Sequence, residues 1–249
     1  MNTYNTHNMV GDKKSSPIFV TGIERSGSSL IARILHMAGA FTGKTNVMYE
    51  NIAMRKIIDS YYRDVVGDGS DVFLGQYPLP DTDKLMIPVS WSDQMHNVLS
   101  SEGYHAGLHK YPWMAKSAKI THLWPIWHYA FPNAKWIIVR RRTGDIVQSC
   151  IKTAHMNAFK NKNNQIAIGA ESEWDAWLLW VREHEKRFVD MMQTGVNCKV
   201  IWPERMVDGD YQQIHEMLDW VGLPWKSKIT TTIDPLLWKS RVQKKGGDI

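Results

Sequence analysis

Apolar residues in this chain fall into two kinds of pattern, short unbroken runs and longer segments that recur every three to four positions. Ile18-Phe19-Val20 is a run that reads as a short buried strand, and Leu30, Ile31, Ile34 and Leu35 mark a helix after it. Further helical patterns run through Ile52, Ile57 and Ile58 and from about Ser90 to Leu99. Tyr104 to Lys110 reads as a second strand. Ser117 to Phe131 reads as one amphipathic helix crowded with Trp124, Trp127 and Tyr129, closed by a turn at Pro132-Asn133. Trp136 to Val139 is a buried strand, followed from about Gly144 by a helix that Thr143 or Asp145 is able to cap. Glu171 to Met192 is a long helix with Trp174, Trp177, Leu178, Val181, His184 and Phe188 at core spacing. A strand at Asn197–Trp202 and a helix at Tyr211–Val221 complete the pattern. The alternation predicts an α/β fold with a central, mainly parallel sheet flanked by helices.

Two stretches break the pattern. Tyr61 to Pro88 carries Gly67, Gly69, Gly75, Pro78, Pro80 and Pro88, and a loop of that length inside a compact domain is usually functional or disordered. His155 to Gly169 is polar, rich in Asn and Lys, and reads as a mobile loop.

A chain of 249 residues is one domain, or one domain with insertions, large enough to need no staples. The expected organisation is a disordered tail over residues 1–16 and a single domain over 17–249. Hydrophobic content of 43% with 22% charged residues suits a soluble globular protein. Twelve Trp is unusually many and points to a Trp-rich core. A net charge of +5 suits an anionic ligand but is too mild and dispersed to argue for nucleic acid. Cys150 and Cys198 are the only cysteines, and their spacing suggests neither a disulfide framework nor a zinc site. Met1 to Ser16 lacks an apolar segment of signal-peptide type, and no run approaches the ~18 apolar residues of a membrane span. These features disfavour secreted and Golgi-type contexts and point to the cytoplasm.

The candidate chemistry starts in the turn between the first strand and the first helix. Backbone N–H groups and a helix N-terminus face an anion in such a turn. Gly22 and Gly27 match the glycines of G-x-x-x-x-G-K-[ST], and Ser29 fills the hydroxyl position. Ser28 stands where the lysine belongs, so the clamp of an ATPase or GTPase is missing. The loop carries its cation earlier, as Arg25.

Arg25-Ser26-Gly27-Ser28-Ser29 resembles the 5′-phosphosulfate loop of sulfotransferases, [RK]-[SC]-G-[TS]-[TS]. A second segment, Arg141-Arg142-Thr143-Gly144-Asp145 through Ser149, resembles that family's R-x-P-x-D-x-x-x-S element, with Thr143 in place of Pro. The resemblance spans roughly Ile18 to Pro224. It implies 3′-phosphoadenosine-5′-phosphosulfate (PAPS) as donor and adenosine 3′,5′-bisphosphate (PAP) as product, with no metal required. Arg25, Ser26, Gly27, Ser28 and Ser29 would hold the 5′-phosphosulfate, and Arg141 with Ser149 the 3′-phosphate. Lys110, in Lys110-Tyr111-Pro112, resembles the lysine that helps stabilise the leaving phosphate. Glu50-Asn51 resembles the Glu-Asn pair of bacterial members, in which a glutamate about twenty to twenty-five residues beyond the loop cation is the base. The catalytic His of cytosolic members would lie at Pro112, which throws that role back on Glu50. His105 and His109 are alternatives, and the plain alternative for Glu50 is a first-turn carboxylate favoured by the helix dipole.

Glu204 resembles an acidic residue of the family's Y-E-D-L element, and Gly222-Leu223-Pro224 the end of F-L-G-L-P. Lys244-Lys245-Gly246 faintly resembles the R-K-G element that covers the 3′-phosphate, against the plain reading of a basic tail. The two patternless stretches are expected near the acceptor, which is a small molecule, glycan, lipid or peptide. A P-loop nucleotide kinase and a non-catalytic nucleotide-binding protein remain open.

Overall fold

The structure, a computed structural model, describes residues 16–67 and 76–233. The tail preceding Ser16 and the Lys244-Lys245-Gly246 element lie outside the described residues.

Four strands form one sheet: β1 (Ile18–Gly22), β2 (Met114–Lys116), β3 (Lys135–Val139) and β4 (Cys198–Ile201), in the order β2-β1-β3-β4. Every pairing is parallel, with Val20 opposite Lys116 and Ile137 and with Gly22 opposite Val139. Parallel strands need crossovers, and helices supply them. Between β1 and β2 lie α1 (Ser28–Ala38), α2 (Ile52–Val66) and α3 (Trp91–Ser101). Between β2 and β3 lies α4 (Trp124–Ala130); between β3 and β4 lie α5 (Thr143–Lys152), α6 (Lys162–Ile168) and α7 (Glu173–Gln193). After β4 come α8 (Pro203–Val207) and α9 (Gln212–Val221). The chain leaves β1 to one side for β2 and returns to the other side for β3, so the sheet's topological switch point lies between the C-terminal ends of β1 and β3.

Both sheet faces are covered, which is why β1 is an unbroken apolar run. Ile18 and Val20 join Ile137, Val139, Leu35, Met217 and Leu218 on one face. Phe19 and Trp136 point to the other, among Trp91, Trp127, Trp177 and Trp180. Phe19 sits edge-on to Trp127 and Trp136, with ring centroids at 4.9 and 5.0 Å, the arrangement aromatic quadrupoles favour. The tryptophan content is therefore largely core. Trp174 is an exception at core spacing, since it stays partly exposed on α7, as does Leu178.

Four expectations need correction. Tyr104–Lys110 is not a strand: Gly103 and Gly107 take positive φ and the segment turns, while β2 begins at Met114. Ser117–Phe131 is not one helix but a 3-10 turn at Ala118–Thr121 followed by α4, which restarts with Pro125 in its first turn. His155–Gly169 is not a loop throughout. It holds a 3-10 turn at Ala158–Lys160 and α6, with Phe159 buried against Trp177 at 4.7 Å. Part of Tyr61–Pro88 is also built into the fold. α2 runs through to Val66, and the buried Gln76 accepts from the backbone N–H groups of Asn157 and Ala158.

Candidate functional site

The loop from Ile23 to Gly27 lies at the switch point. Gly22 is required there by close approach, because a Cβ on it would sit 2.5 Å from the Val139 carbonyl oxygen of β3. Gly27 caps α1 in the left-handed conformation, with φ of 99°, which suits glycine. The first turn of α1 carries no acidic residue, so the positive end of its dipole is not neutralised by its own side chains. Ser26 is fully buried, and its Oγ has no hydrogen-bond partner. A buried hydroxyl is usually satisfied, and this one lies inside a tight turn at the N-terminus of α1. Arg25 adopts a φ of 70°, an uncommon conformation for a side chain with a Cβ and one that tends to mark functional turns.

Two segments far apart in sequence meet at Arg25. Its Nε donates to Ser149 Oγ on α5 at 3.0 Å, and its carbonyl accepts from Arg141 Nη1 at 3.0 Å. The structure therefore brings together Arg25, Ser26, Gly27, Ser28, Ser29, Arg141 and Ser149. Burial lowers the pKa of Arg141, and Asp145 and Glu204 pull the other way. Neither Thr143 nor Asp145 caps α5 with its side chain. Glu204 from α8 does that work, accepting from the Arg142 N–H at 3.3 Å. Glu204 thus holds the segment carrying Arg141.

Glu50 lies in a turn in which Tyr49 has a φ of 60°, just before the cap of α2, where Asn51 Oδ1 accepts from the Met54 N–H. It is not a first-turn carboxylate. Lys116 Nζ donates to Glu50 Oε1 at 3.0 Å, Asn46 Nδ2 donates to Oε2 at 3.0 Å, and Arg55 lies at 3.5 Å. Burial pushes the Glu50 pKa up, but Lys116, Asn46 and Arg55 outweigh it and the net shift is down. Glu50 is therefore an ionised carboxylate at neutral pH.

Lys110 does not belong to this group. It precedes β2, whereas the loop follows the opposite, C-terminal end of the paired strand β1. It is exposed beside His36, Gly39 and Lys44 in a cleft of about 580 Å³ at the far end of α1. α1 is about 15 Å long, so the cleft is well removed from the loop. His109 lines the same cleft and bonds the Gly103 carbonyl, and His105 is exposed on that turn. The lysine at the right end is Lys116, the last residue of β2 and 8% exposed. Sequence reading missed it because β2 is only three residues long and the two lysines lie six positions apart. It also missed Glu24, an acid inside the loop between β1 and α1, and Arg55, one turn into α2. The signal for Lys116 was a charged residue closing the apolar run Trp113-Met114-Ala115.

Among the described residues no group of His, Cys, Asp and Glu is arranged to hold a metal, and no helix is long and apolar enough to cross a membrane. Cys150 and Cys198 are free thiols.

This fold has counterparts in solved structures. The sulfotransferase domain of the curacin biosynthetic pathway superposes with a TM-score of 0.55 at 14% identity, covering 88% of this chain and 78% of that one. The sulfotransferase domain of the Synechococcus PCC 7002 olefin synthase gives 0.54 at 15%, covering 92% and 89%. Sulfotransferase STF9 from Mycobacterium avium gives 0.55 at 10%, covering 95% and 70%. At these identities the likeness is one of fold. A search of curated protein sequences returns no match. A sequence profile described as "Sulfotransferase family" matches residues 17–227. That match takes in the loop, the Arg141–Ser149 segment and every strand of the sheet, and the chain belongs to the sulfotransferase family.

Proposed function

We propose that this protein transfers a sulfuryl group from PAPS to a hydroxyl or amine of a small molecule, glycan, lipid or peptide, releasing PAP. The observation that carries the reading is the meeting of Arg25, Arg141 and Ser149 at a loop whose buried Ser26 hydroxyl has no partner. The residues fit such a donor. The loop N–H groups with Ser26, Ser28 and Ser29 suit a 5′-phosphosulfate. Arg141 and Ser149 offer the charge, fork geometry and hydroxyl that suit a second phosphate.

The donor supplies an activated sulfur and a phosphate leaving group. Glu50 takes the proton of the acceptor O–H or N–H. Arg25, Lys116 and the loop N–H groups offset the negative charge that develops on the phosphate oxygen, an electrostatic contribution made by preset donors. Lys116 links the two tasks, because it already pairs with Glu50. If it turns toward an anion in the loop it releases Glu50, whose pKa then rises, and the carboxylate becomes the stronger base.

Incubation with radiolabelled PAPS and pooled phenols, carbohydrates, lipids and peptides tests the reading. Label should move to at least one pool, and PAP should raise the melting temperature far more than ATP, which lacks a 3′-phosphate. Equal stabilisation by PAP and ATP, with Mg²⁺-dependent ATP turnover, would replace it with a kinase.

A further inference from the structure

Glu24 has no part in the chemistry above, yet it sits inside the anion-binding loop. Its Oε2 is buried without a hydrogen-bond partner and lies 3.8 Å from His184 Nε2 on α7, which is also buried and unpartnered. The protonation of His184 follows from its other nitrogen. Nδ1 is 2.8 Å from the Trp180 carbonyl oxygen, which can only accept, so Nδ1 carries the proton. Burial pushes the His184 pKa down to about 3, so the ring is neutral and Nε2 is a bare acceptor. A carboxylate facing it would set lone pair against lone pair. A carboxylic acid would instead supply the proton that both atoms lack.

Other groups around Glu24 act on it unequally. Its own backbone N–H, then Lys116 at the end of β2 and Lys119 in the following 3-10 turn, favour the carboxylate, while burial, the largest effect, and Glu50 disfavour it. Tyr62 on α2 and Cys150 on α5 also face its charge, and ionising either beside a carboxylate is unfavourable. Arg25 neighbours it along the chain. Behind His184 stand His122, itself held neutral by burial with ring centroids 4.4 Å apart, and Arg187, whose charge disfavours a positive His184. The net result of burial and these neighbours is a Glu24 pKa pushed up to about 7.

We infer that Glu24 is a neutral acid facing His184 when the loop holds the anionic donor, so that donor binding is coupled to proton uptake at Glu24. This rests on the donor reading above. An ionised Glu24 would put a negative charge in the loop that must accept phosphosulfate, and a bound anion raises the acid's pKa further. Donor affinity should therefore fall as pH rises through neutrality.

The test is calorimetric titration of the full-length protein with PAP from pH 6 to 8.5, in buffers of different ionisation enthalpy, for wild type and Glu24→Gln. Glutamine keeps the shape of the neutral acid. Wild type should take up more protons than the variant and lose affinity more steeply, by up to about tenfold per pH unit. His184→Gln, whose amide can donate to a carboxylate, should move that loss to lower pH. Infrared difference spectra between wild type and Glu24→Gln at pH 6 should show a neutral-acid carbonyl band. PAP binding with the same pH dependence in wild type and Glu24→Gln overturns the coupling and leaves the donor reading standing. Failure of both proteins to bind PAP overturns the donor reading and the coupling together, and a missing carbonyl band overturns the neutral acid by itself.

Discussion

The two ends of α1 carry similar side chains in different settings. At its C-terminal end, His36, Lys44, Glu102, His109 and Lys110 line an open cleft of about 580 Å³. At its N-terminal end, Arg25, Lys116, Glu50 and Glu24 gather around the loop. The far cleft is open, but it lies at the N-terminal end of β2, away from the switch point of the sheet. At the loop end, Lys116 and Ser26 are buried, Arg25 is held in an uncommon backbone conformation, and polar atoms lack partners. Side-chain type therefore does not separate a site from a polar surface here. Position at the carboxyl edge of the sheet and the restraint of the backbone do.

The largest expected effect breaks the comparison at its chemical step. Glu50→Gln should lower turnover by at least ~100-fold with PAP affinity little changed, since general-base assistance is worth about 10² to 10⁴. A phenol acceptor that ionises readily should suffer less. Near-normal turnover in Glu50→Gln would reduce the carboxylate to a partner for Lys116 and Arg55.

Next, Arg141→Ala should weaken PAP binding by about 30-fold, as expected for a charged hydrogen-bond donor that also braces the Arg25 carbonyl. Calorimetric titration of the purified variant measures this. Lys110→Ala, at the other end of α1, should leave both PAP affinity and turnover as they are. A defect in Lys110→Ala equal to that of Lys116→Ala would put the far cleft back in the mechanism.

A third effect sharpens the comparison through pH. Glu24 binds its proton more tightly in the folded chain than in the unfolded one. Folding stability contributed by Glu24 therefore falls as pH rises from the ordinary carboxylate range to about 7 and stays low above that. Glu24→Gln should accordingly gain stability over wild type at pH 8 but not at pH 4, with a ceiling of about 3 kcal/mol. Glu50 works in the opposite direction. Its pKa is lowered in the fold, so its contribution is present at neutral pH and is lost as pH falls below the ordinary carboxylate range. Denaturant melts across pH read both variants, and a Glu24→Gln curve parallel to wild type would contradict the first statement.

The smallest effect concerns the bracing of Arg141. Glu204→Gln keeps an acceptor for the Arg142 N–H but removes the charge near Arg141. It should cost about 1 kcal/mol of stability and only a few-fold in PAP affinity. A loss as large as that of Arg141→Ala would make Glu204 a ligand contact rather than a brace.

Local chemistry determined much of this protein. The β-branched and aromatic run Ile18-Phe19-Val20 followed by two glycines specifies a strand, a tight turn and a helix start, because φ, packing and capping there depend on near neighbours. The apolar run before Arg141 works in the same way, and so does Asn51 at the head of α2. Hence the parallel α/β architecture, the loop and the Arg141–Ser149 segment were legible as patterns. The failures lie where local pattern is weak. β2 has three residues, too few for a periodic signal, so the strand was placed early and its lysine with it. The His155–Gly169 stretch looks polar, but Phe159 packs on Trp177 and the polar side chains of Asn161 and Gln165 bond its own backbone, which builds helical structure there.

Tertiary structure alone decided which charges meet. Arg25 and Ser149 lie 124 positions apart, and Lys116 and Glu50 lie 66 apart, so no spacing rule relates them. Their pairing depends on which strands are neighbours and which strand ends face the loop. The same holds for Glu24, which as sequence is one acid in a polar turn. Its raised proton affinity comes from desolvation in the fold, and the tautomer of the His184 it faces is set by the carbonyl of Trp180 one turn back on α7. Sequence patterns report the free energy of forming local elements. Electrostatic energies depend on distance and desolvation between distant segments, and these exist only once the chain has folded.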